Sequence, residues 1–371
     1  MRSLGIYIHI PFCVQKCLYC DFCSTANSAD SLREAYVGEL CRRIEAEREK
    51  MADRVVDTLY FGGGTPTLLS AEQISRVMAT LRRACRFSED CEITCECNPA
   101  TADLEQLKSL RRLGINRLSI GLQSVHNDEL RRLGRIHSYE DFLATFRDAR
   151  DAGFDNISVD LMYALPEQTL SAFEESLRTL AKLSPEHISV YGLSIEEGTP
   201  FDRMRNSLIL PDEEEQLAMY LACSRVLGEY GYHKYEISNF SKQGRESRHN
   251  LRYWHGEEYL GFGVAAHSFF DGVRFGSSRD MGAFLRSEDI VEERAELTCD
   301  DLQSEYFMLR LRLVEGIDER EVRARFGKPL EEIAPSLHRW IEADLMQRSQ
   351  GRVFFTDRGF FVSNAILSEL L

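Results

Sequence analysis

No apolar run in this 371-residue chain approaches the roughly 20 residues of a membrane-spanning helix, so none is expected. A basic surface is missing as well. The formal charge is −15, whereas phosphate backbones are held by clustered Lys and Arg. This excludes an extended nucleic-acid interface and leaves room only for a local basic patch. The opening "MRSLGIYIHIPFC" has an Arg and a short apolar run but no small-residue cleavage site, so it reads as a first β-strand and not a secretion signal. Internal repeats beyond a β–α rhythm and low-complexity tracts are also lacking. The cysteine count is not even: there are eleven, without an export signal, which points to a reducing, cytoplasmic setting where clustered thiols serve metals or redox chemistry.

The composition, 43% hydrophobic and 28% charged, is that of a globular protein with a main domain and one or two smaller ones. Over the first 200 residues, short apolar runs alternate with amphipathic helical patterns. "LGIYIHI" (4–10), "VVDTLYF" (55–61), "CEITCEC" (91–97), "NRLSIGL" (116–122), "NISVDLMY" (156–163) and "HISVYGL" (187–193) read as strands. Between them lie helical patterns, with capping boxes expected at Ser31/Glu34 and Ser70/Gln73. Six such units imply a parallel sheet, and a partial (β/α)6 TIM-like barrel fits better than a two-faced open sheet. Functional groups then belong at strand C-termini, where the unusual residues fall. The expected division is 1–205 for the barrel, 206–290 for an irregular linking region rich in Gly and aromatics, and 291–371 for a C-terminal α+β, winged-helix-like region whose wing is "QRSQGRVFFTDRGFFVS".

"HIPFCVQKCLYCDFCS" (9–24) places four cysteines within eleven residues. Structural zinc usually takes two ligand pairs separated by a longer loop, and a redox pair needs only CxxC beside a helix. Cys13, Cys17 and Cys20, spaced CxxxCxxC, suit a [4Fe–4S] cluster better, with three irons held and one left open. Cys41, Cys85, Cys91, Cys95, Cys97, Cys223 and Cys299 sit in apolar-patterned segments and read as small buried hydrophobes.

CxxxCxxC with an aromatic, Tyr19, before its third Cys resembles the radical S-adenosylmethionine (SAM) superfamily. "YIHIPFC", "GGGTPT", "IGLQS" and "DLMYALPEQT" narrow the resemblance to the oxygen-independent coproporphyrinogen III oxidase-like family, especially its HemW branch of haem chaperones. The resemblance implies cluster ligation by Cys13, Cys17 and Cys20. It also implies SAM contacts by Gly63, Gly64, Thr65, Glu96, Gln123, Arg135 and Asp160, with Tyr7 and Tyr19 near the cluster. Glycine at such a segment lets backbone groups approach a zwitterion closely. The oxidases carry a cysteine two residues after the third ligand, where this chain has Phe22, and a longer segment ahead of the first strand. Both departures argue against coproporphyrinogen decarboxylation.

"RHNLRYW" (248–254) matches the HNxxYW pattern of the HemW branch. That match implies His249 as a haem ligand with Tyr253 and Trp254 as aromatic surfaces; His233, His255 and His267 are nearby alternatives. The implied function is binding of haem and its delivery to haem-requiring proteins, respiratory ones among them, with an electron donor for the cluster, no nucleic acid, and membrane contact only through partners. The rival readings are the oxidase itself, a radical SAM enzyme on another substrate, and a zinc scaffold.

Overall fold

The computed structural model describes residues 2–370. Six parallel strands form its centre: β1 (Arg2–Ile10), β2 (Arg54–Gly63), β3 (Arg86–Cys97), β4 (Arg117–Gln123), β5 (Ile157–Tyr163) and β6 (His187–Gly192). The crossovers are α1 (Asp30–Ala46), α2 (Ala71–Ala84), α3 (Leu104–Arg112), α4 (Tyr139–Asp151) and α5 (Leu170–Leu183). Each expected strand is present, and the sheet stays open, as a partial barrel. β3 begins five residues earlier than the apolar pattern indicates. Its start, Arg86–Asp90, is too polar to register as a strand, yet Arg86 and Phe87 pair with Val55 and Val56 of β2.

Strict alternation governs β1. Leu4, Ile6, Ile8 and Ile10 are fully buried in the core beneath the helices, while Gly5, Tyr7 and His9 point to the opposite face. The same division continues through Leu118, Ile120 and Leu122 of β4 and Ile157, Val159 and Leu161 of β5. A strand of a parallel sheet normally reads as a continuous apolar run because both faces meet hydrocarbon. Here one face meets helices and the other lines a polar interior.

Helix boundaries follow their caps. α2 begins behind a complete Ser70/Gln73 capping box, as the sequence predicts. The Ser31/Glu34 box does not form. α1 starts two residues earlier, behind Ala29, and Glu34 instead accepts from Gln73 and pairs with Arg76 of α2. Helix α6 (Glu213–Gly228) leads into β7 (His233–Lys234) and β8 (Asn239–Ser241), which extend the sheet beyond β6. "RHNLRYW", expected within an irregular stretch, is helix α7 (Arg248–His255).

The chain then returns to the free edge of β1. Strand β9 (Tyr259–Phe262) pairs parallel with β1, and β10 (His267–Phe270), β11 (Val273–Ser277) and β12 (Val291–Glu296) follow antiparallel. Strands of the expected linking region therefore belong to the same sheet as the barrel. The outermost strand, β12, is exposed along its whole length and reads VEERAE.

At the C-terminus, a helix (Cys299–Arg310) precedes a three-stranded sheet of Ile317–Asp318, Arg352–Phe355 and Met346–Ser349, giving the winged-helix-like form. The end of the expected wing is helical instead, at Asp357–Phe361 and Ser363–Leu370, because Thr356 caps a new helix. Of the cysteines read as core, five are buried, while Cys41 is half-buried and Cys299 is exposed as the first residue of its helix. Among the described residues no helix is long and apolar enough to cross a membrane.

One buried hydroxyl ties three of these pieces together. Tyr36 of α1 donates to the His9 carbonyl at 2.8 Å and accepts from the Val264 N–H at 3.3 Å. Tyr36→Phe leaves both backbone groups short of a partner. Chemical denaturation should report a loss of about 1–3 kcal/mol.

Candidate functional site

The loop after β1 carries the three cysteines, and two features hold it. The Leu18 N–H donates to the Leu133 carbonyl at 3.0 Å, and the Leu18 carbonyl accepts from the Phe201 N–H at 3.0 Å. Leu18 and Tyr19 also pack on Leu133, Met162, Leu165 and Phe201, a small core separate from the main one. Cys17 and Cys20 therefore flank a fixed point. Cys13 sits in a two-residue strand paired with Thr25–Ala26. The fourth thiol, Cys23, is held elsewhere: its carbonyl accepts from His9 Nε2 at 2.9 Å.

All three loop thiols line one cavity of about 490 Å³ at the C-terminal ends of the strands. Tyr19, Gly63, Gly64, Thr65, Glu96, Gln123, Arg135 and Asp160 line it too. Two expected residues do not. Tyr7 lies below the cavity floor, its hydroxyl 3.1 Å from His9 Nδ1. His249 is 1% exposed on α7 and lies outside the cavity wall.

The glycines earn their place sterically. A Cβ on Gly64 would fall 2.6 Å from the Phe12 carbonyl oxygen, a backbone atom that cannot move aside. Gly63 has φ of +108° and abuts the His9 ring. Next to them, Thr65 Oγ1 accepts from Asn98 Nδ2 at 2.7 Å and lies 3.8 Å from Cys13 Sγ. Arg135 Nη2 donates to Asn98 Oδ1 and to the Gly121 carbonyl, both at 2.6 Å, while Nη1 lies 3.5 Å from Cys17 Sγ. Gln123 has φ of +75°, a region costly for a side-chain-bearing residue, and its Oε1 accepts from the Tyr191 hydroxyl at 2.8 Å.

Two carboxylates sit in the floor. Glu96 accepts from the Tyr60 hydroxyl at 2.9 Å and from the Gly63 N–H at 3.0 Å. Burial pushes its carboxyl up to about 7, with the Tyr60 hydrogen bond opposing and Asp160 adding. Burial likewise pushes Asp160 up to about 6, against Ser189, Arg117 and Arg135. Such paired, raised carboxyls facing a cavity suit a cationic or polyhydroxyl ligand. Sequence reasoning missed Asn98, Ser119 and Tyr191, which complete this floor, and Tyr60, which supports Glu96 from outside the lining. It also missed Arg117, a buried guanidinium near both carboxylates whose Nε has no hydrogen-bond partner among the described residues. The signal was available: period-two alternation inside strands of a parallel sheet marks which residues turn inward.

The sequence matches the family model described as radical SAM superfamily over residues 7–180, and the HemN C-terminal domain over 297–362. "Heme chaperone HemW" of Bacillus subtilis is 36% identical, over 98% of both chains. "Heme chaperone HemW" of Escherichia coli is 34% identical, over 100% of this chain and 99% of the relative. The chain belongs to the HemW branch of the radical SAM superfamily. The solved coproporphyrinogen III oxidase HemN from Escherichia coli superposes with a TM-score of 0.87 at 25% identity, covering 100% of this chain and 90% of that one. The HemW assignment agrees with Phe22, which is 62% exposed at the cavity mouth.

For this HemW-branch chain, the raised Glu96 carboxyl makes stability depend on pH. Its folded value exceeds the ordinary 4.5, so the neutral form favours folding, and that contribution is lost as pH rises through about 7. Glu96→Gln removes the cost of a buried charge. The apoprotein variant should match the native chain near pH 5 and exceed its stability by roughly 2 kcal/mol at pH 8, after discounting for cavity hydration. Denaturant midpoints at the two pH values measure this.

Proposed function

We propose that this protein binds a [4Fe–4S] cluster on Cys13, Cys17 and Cys20, binds SAM beside it, binds haem, and delivers that haem to haem-requiring proteins. The observation that carries the reading is the end-to-end similarity to relatives named as haem chaperones. The donor set fits the cluster. Three thiols of one anchored loop face a single cavity, yet among the described residues no three Cys, His, Asp or Glu side chains converge on one metal ion. That spread suits a polynuclear centre, in which each thiolate takes a different iron.

When bound, the cluster supplies one electron for reductive cleavage of a sulfonium. The chain's own residues prepare the place for it. Gly63 and Gly64 bring backbone groups to the methionine end of SAM, Glu96 takes its ammonium or ribose, and Asp160 its ribose hydroxyls. Arg135 orders Asn98 and the loop. Gln123, Thr65, Tyr19 and Tyr191 wall off water. On this reading residues 1–205 form the SAM core, 206–290 carry the haem motif, and 291–371 form an accessory domain. The protein works in the cytoplasm with an electron donor, and respiratory proteins are among the recipients.

We take His249, expected from the motif as the haem ligand, to be disfavoured for that role, because both ring nitrogens are already engaged. Its ring is buried, with Nδ1 2.9 Å from Thr58 Oγ1 and Nε2 2.8 Å from the Tyr253 hydroxyl. Neither nitrogen has a lone pair facing open space. His233 Nε2 lies 2.7 Å from Glu246 Oε1, and His255 lies near Glu257 and Glu315. His267 is exposed, sits over Gly276 of the neighbouring strand, and has no hydrogen-bond partner among the described residues. It is the nearby histidine best placed to accept an iron.

Anaerobic reconstitution should give about four irons per chain, and Cys17→Ala should lose them; a protein that retains only zinc overturns the cluster. Hemin titration should give a shifted Soret band that weakens in His267→Ala and persists in His249→Ala. Incubation with coproporphyrinogen, SAM and a reductant should yield no protoporphyrinogen, and turnover there would favour the oxidase reading instead.

A further inference from the structure

The HNxxYW segment forms a helix seated against the polar inner face of the sheet. Its first turn is held by a buried carboxylate: Glu92 of β3 accepts from the backbone N–H of Arg248 at 3.2 Å and of His249 at 3.1 Å. A carboxylate at a helix N-terminus is favoured by the exposed amides and the helix dipole. Arg252, one turn on, is 2% exposed, ion-pairs with Asp57, and reaches the Glu258 carbonyl at 3.2 Å. Its stem fills the space over Gly5, where an added Cβ would sit 2.4 Å from Arg252 Cδ. Helix α7 is therefore keyed to β1, β2 and β3 at once.

That seating puts the His249 ring beneath the cavity floor. It stacks on Tyr60 with ring centres 5.2 Å apart and planes 29° from parallel. On the neighbouring strand Tyr7 also stacks on Tyr60, at 6.1 Å and 26°. Tyr60, stacked with two rings, aims its hydroxyl at Glu96 Oε1, and the Gly63 N–H takes Oε2. The Glu96 carboxylate is thus fixed by two donors, one of which depends on a ring from the motif helix. Burial, Arg252 and Arg117 hold the His249 ring neutral, its value lowered to about 3, so it serves the stack as an uncharged plate with one donor and one acceptor nitrogen.

We propose that His249 is a positioning residue for the SAM site, setting the orientation of Glu96 through Tyr60. This rests on the reading above that Glu96 contacts SAM. It gives the HNxxYW helix a task inside the SAM core: its seating against β1–β3 is sensed at a carboxylate of the cavity.

The test is a mutant cycle on anaerobically reconstituted full-length protein, with SAM affinity measured calorimetrically and by the SAM-induced change in the EPR signal of the reduced cluster. Tyr60→Phe removes one hydrogen bond to a carboxylate and should weaken SAM by about tenfold or more. His249→Ala should weaken it by about three- to tenfold, and the double variant should be no worse than Tyr60→Phe alone, because both act through one hydroxyl. His249→Phe keeps a flat ring on Tyr60 but has no nitrogen for iron. It should restore SAM affinity to within about twofold of native, with the hemin Soret band unchanged. Iron content and circular dichroism identify variants that fail to fold, and His249→Gln then replaces His249→Ala in the cycle. Additive effects of Tyr60 and His249, or a folded His249→Ala variant that keeps native SAM affinity, overturn the proposal alone. Absence of SAM binding by the reconstituted native chain overturns the SAM reading itself and the proposal with it.

Discussion

Charged side chains inside a sheet must be compensated, and that constraint organises this molecule. Parallel strands covered by helices on one face usually hide hydrocarbon on the other. Here the second face carries Thr58, Tyr60, Glu92, Glu96, Arg117, Asp160 and His187. Each buried ionisable group raises the free energy of the fold unless it is paired, hydrogen-bonded or neutral. The structure uses all three routes. Glu92 is satisfied by helix amides, His249 and His187 stay neutral, and Glu96 and Asp160 share the field of Arg117.

The compensation is incomplete next to the cavity. Glu96 and Asp160 keep raised carboxyls, and Arg117 Nε has no hydrogen-bond partner among the described residues. Interiors tolerate such residual electrostatic cost where a ligand later relieves it, and a cationic sulfonium amino acid has the charges to do so. Rigid surroundings matter as much as charge. The cysteine loop is held at Leu18, the glycine turn is closed against the Phe12 carbonyl, and Tyr60 stacks with two rings.

Much of this was legible in the sequence because the relevant signals are local. CxxxCxxC, the glycine run and the strand-end carboxylates occupy single short segments, and the barrel brings them to one cavity as strand polarity requires. The β–α rhythm gave the strands for the same reason. What escaped was non-local. Nothing near Arg248 in the chain announces that Glu92 will cap it, so the helix looked like loop. Nothing near Tyr7 announces that residues 259–262 will pair with its outer edge. The enclosure of the His249 ring was hidden for a related reason: a motif gives residue type and spacing, but not which way the ring faces. The helical end after Thr356 was misjudged because its Phe pair mimics a strand.

The stack beneath Glu96 also has a consequence in time. Thr58 and His249, which meet there, are 191 residues apart in the chain, and the α7 amides reach Glu92 across a comparable span. During synthesis the six parallel strands emerge first, with the thiol loop and both carboxylates already made. The plate that steadies Tyr60 leaves the ribosome only afterwards. Long-range closure of this kind is the slow part of folding. The order of translation therefore sets the thiol loop and both carboxylates ahead of the ring that stacks on Tyr60.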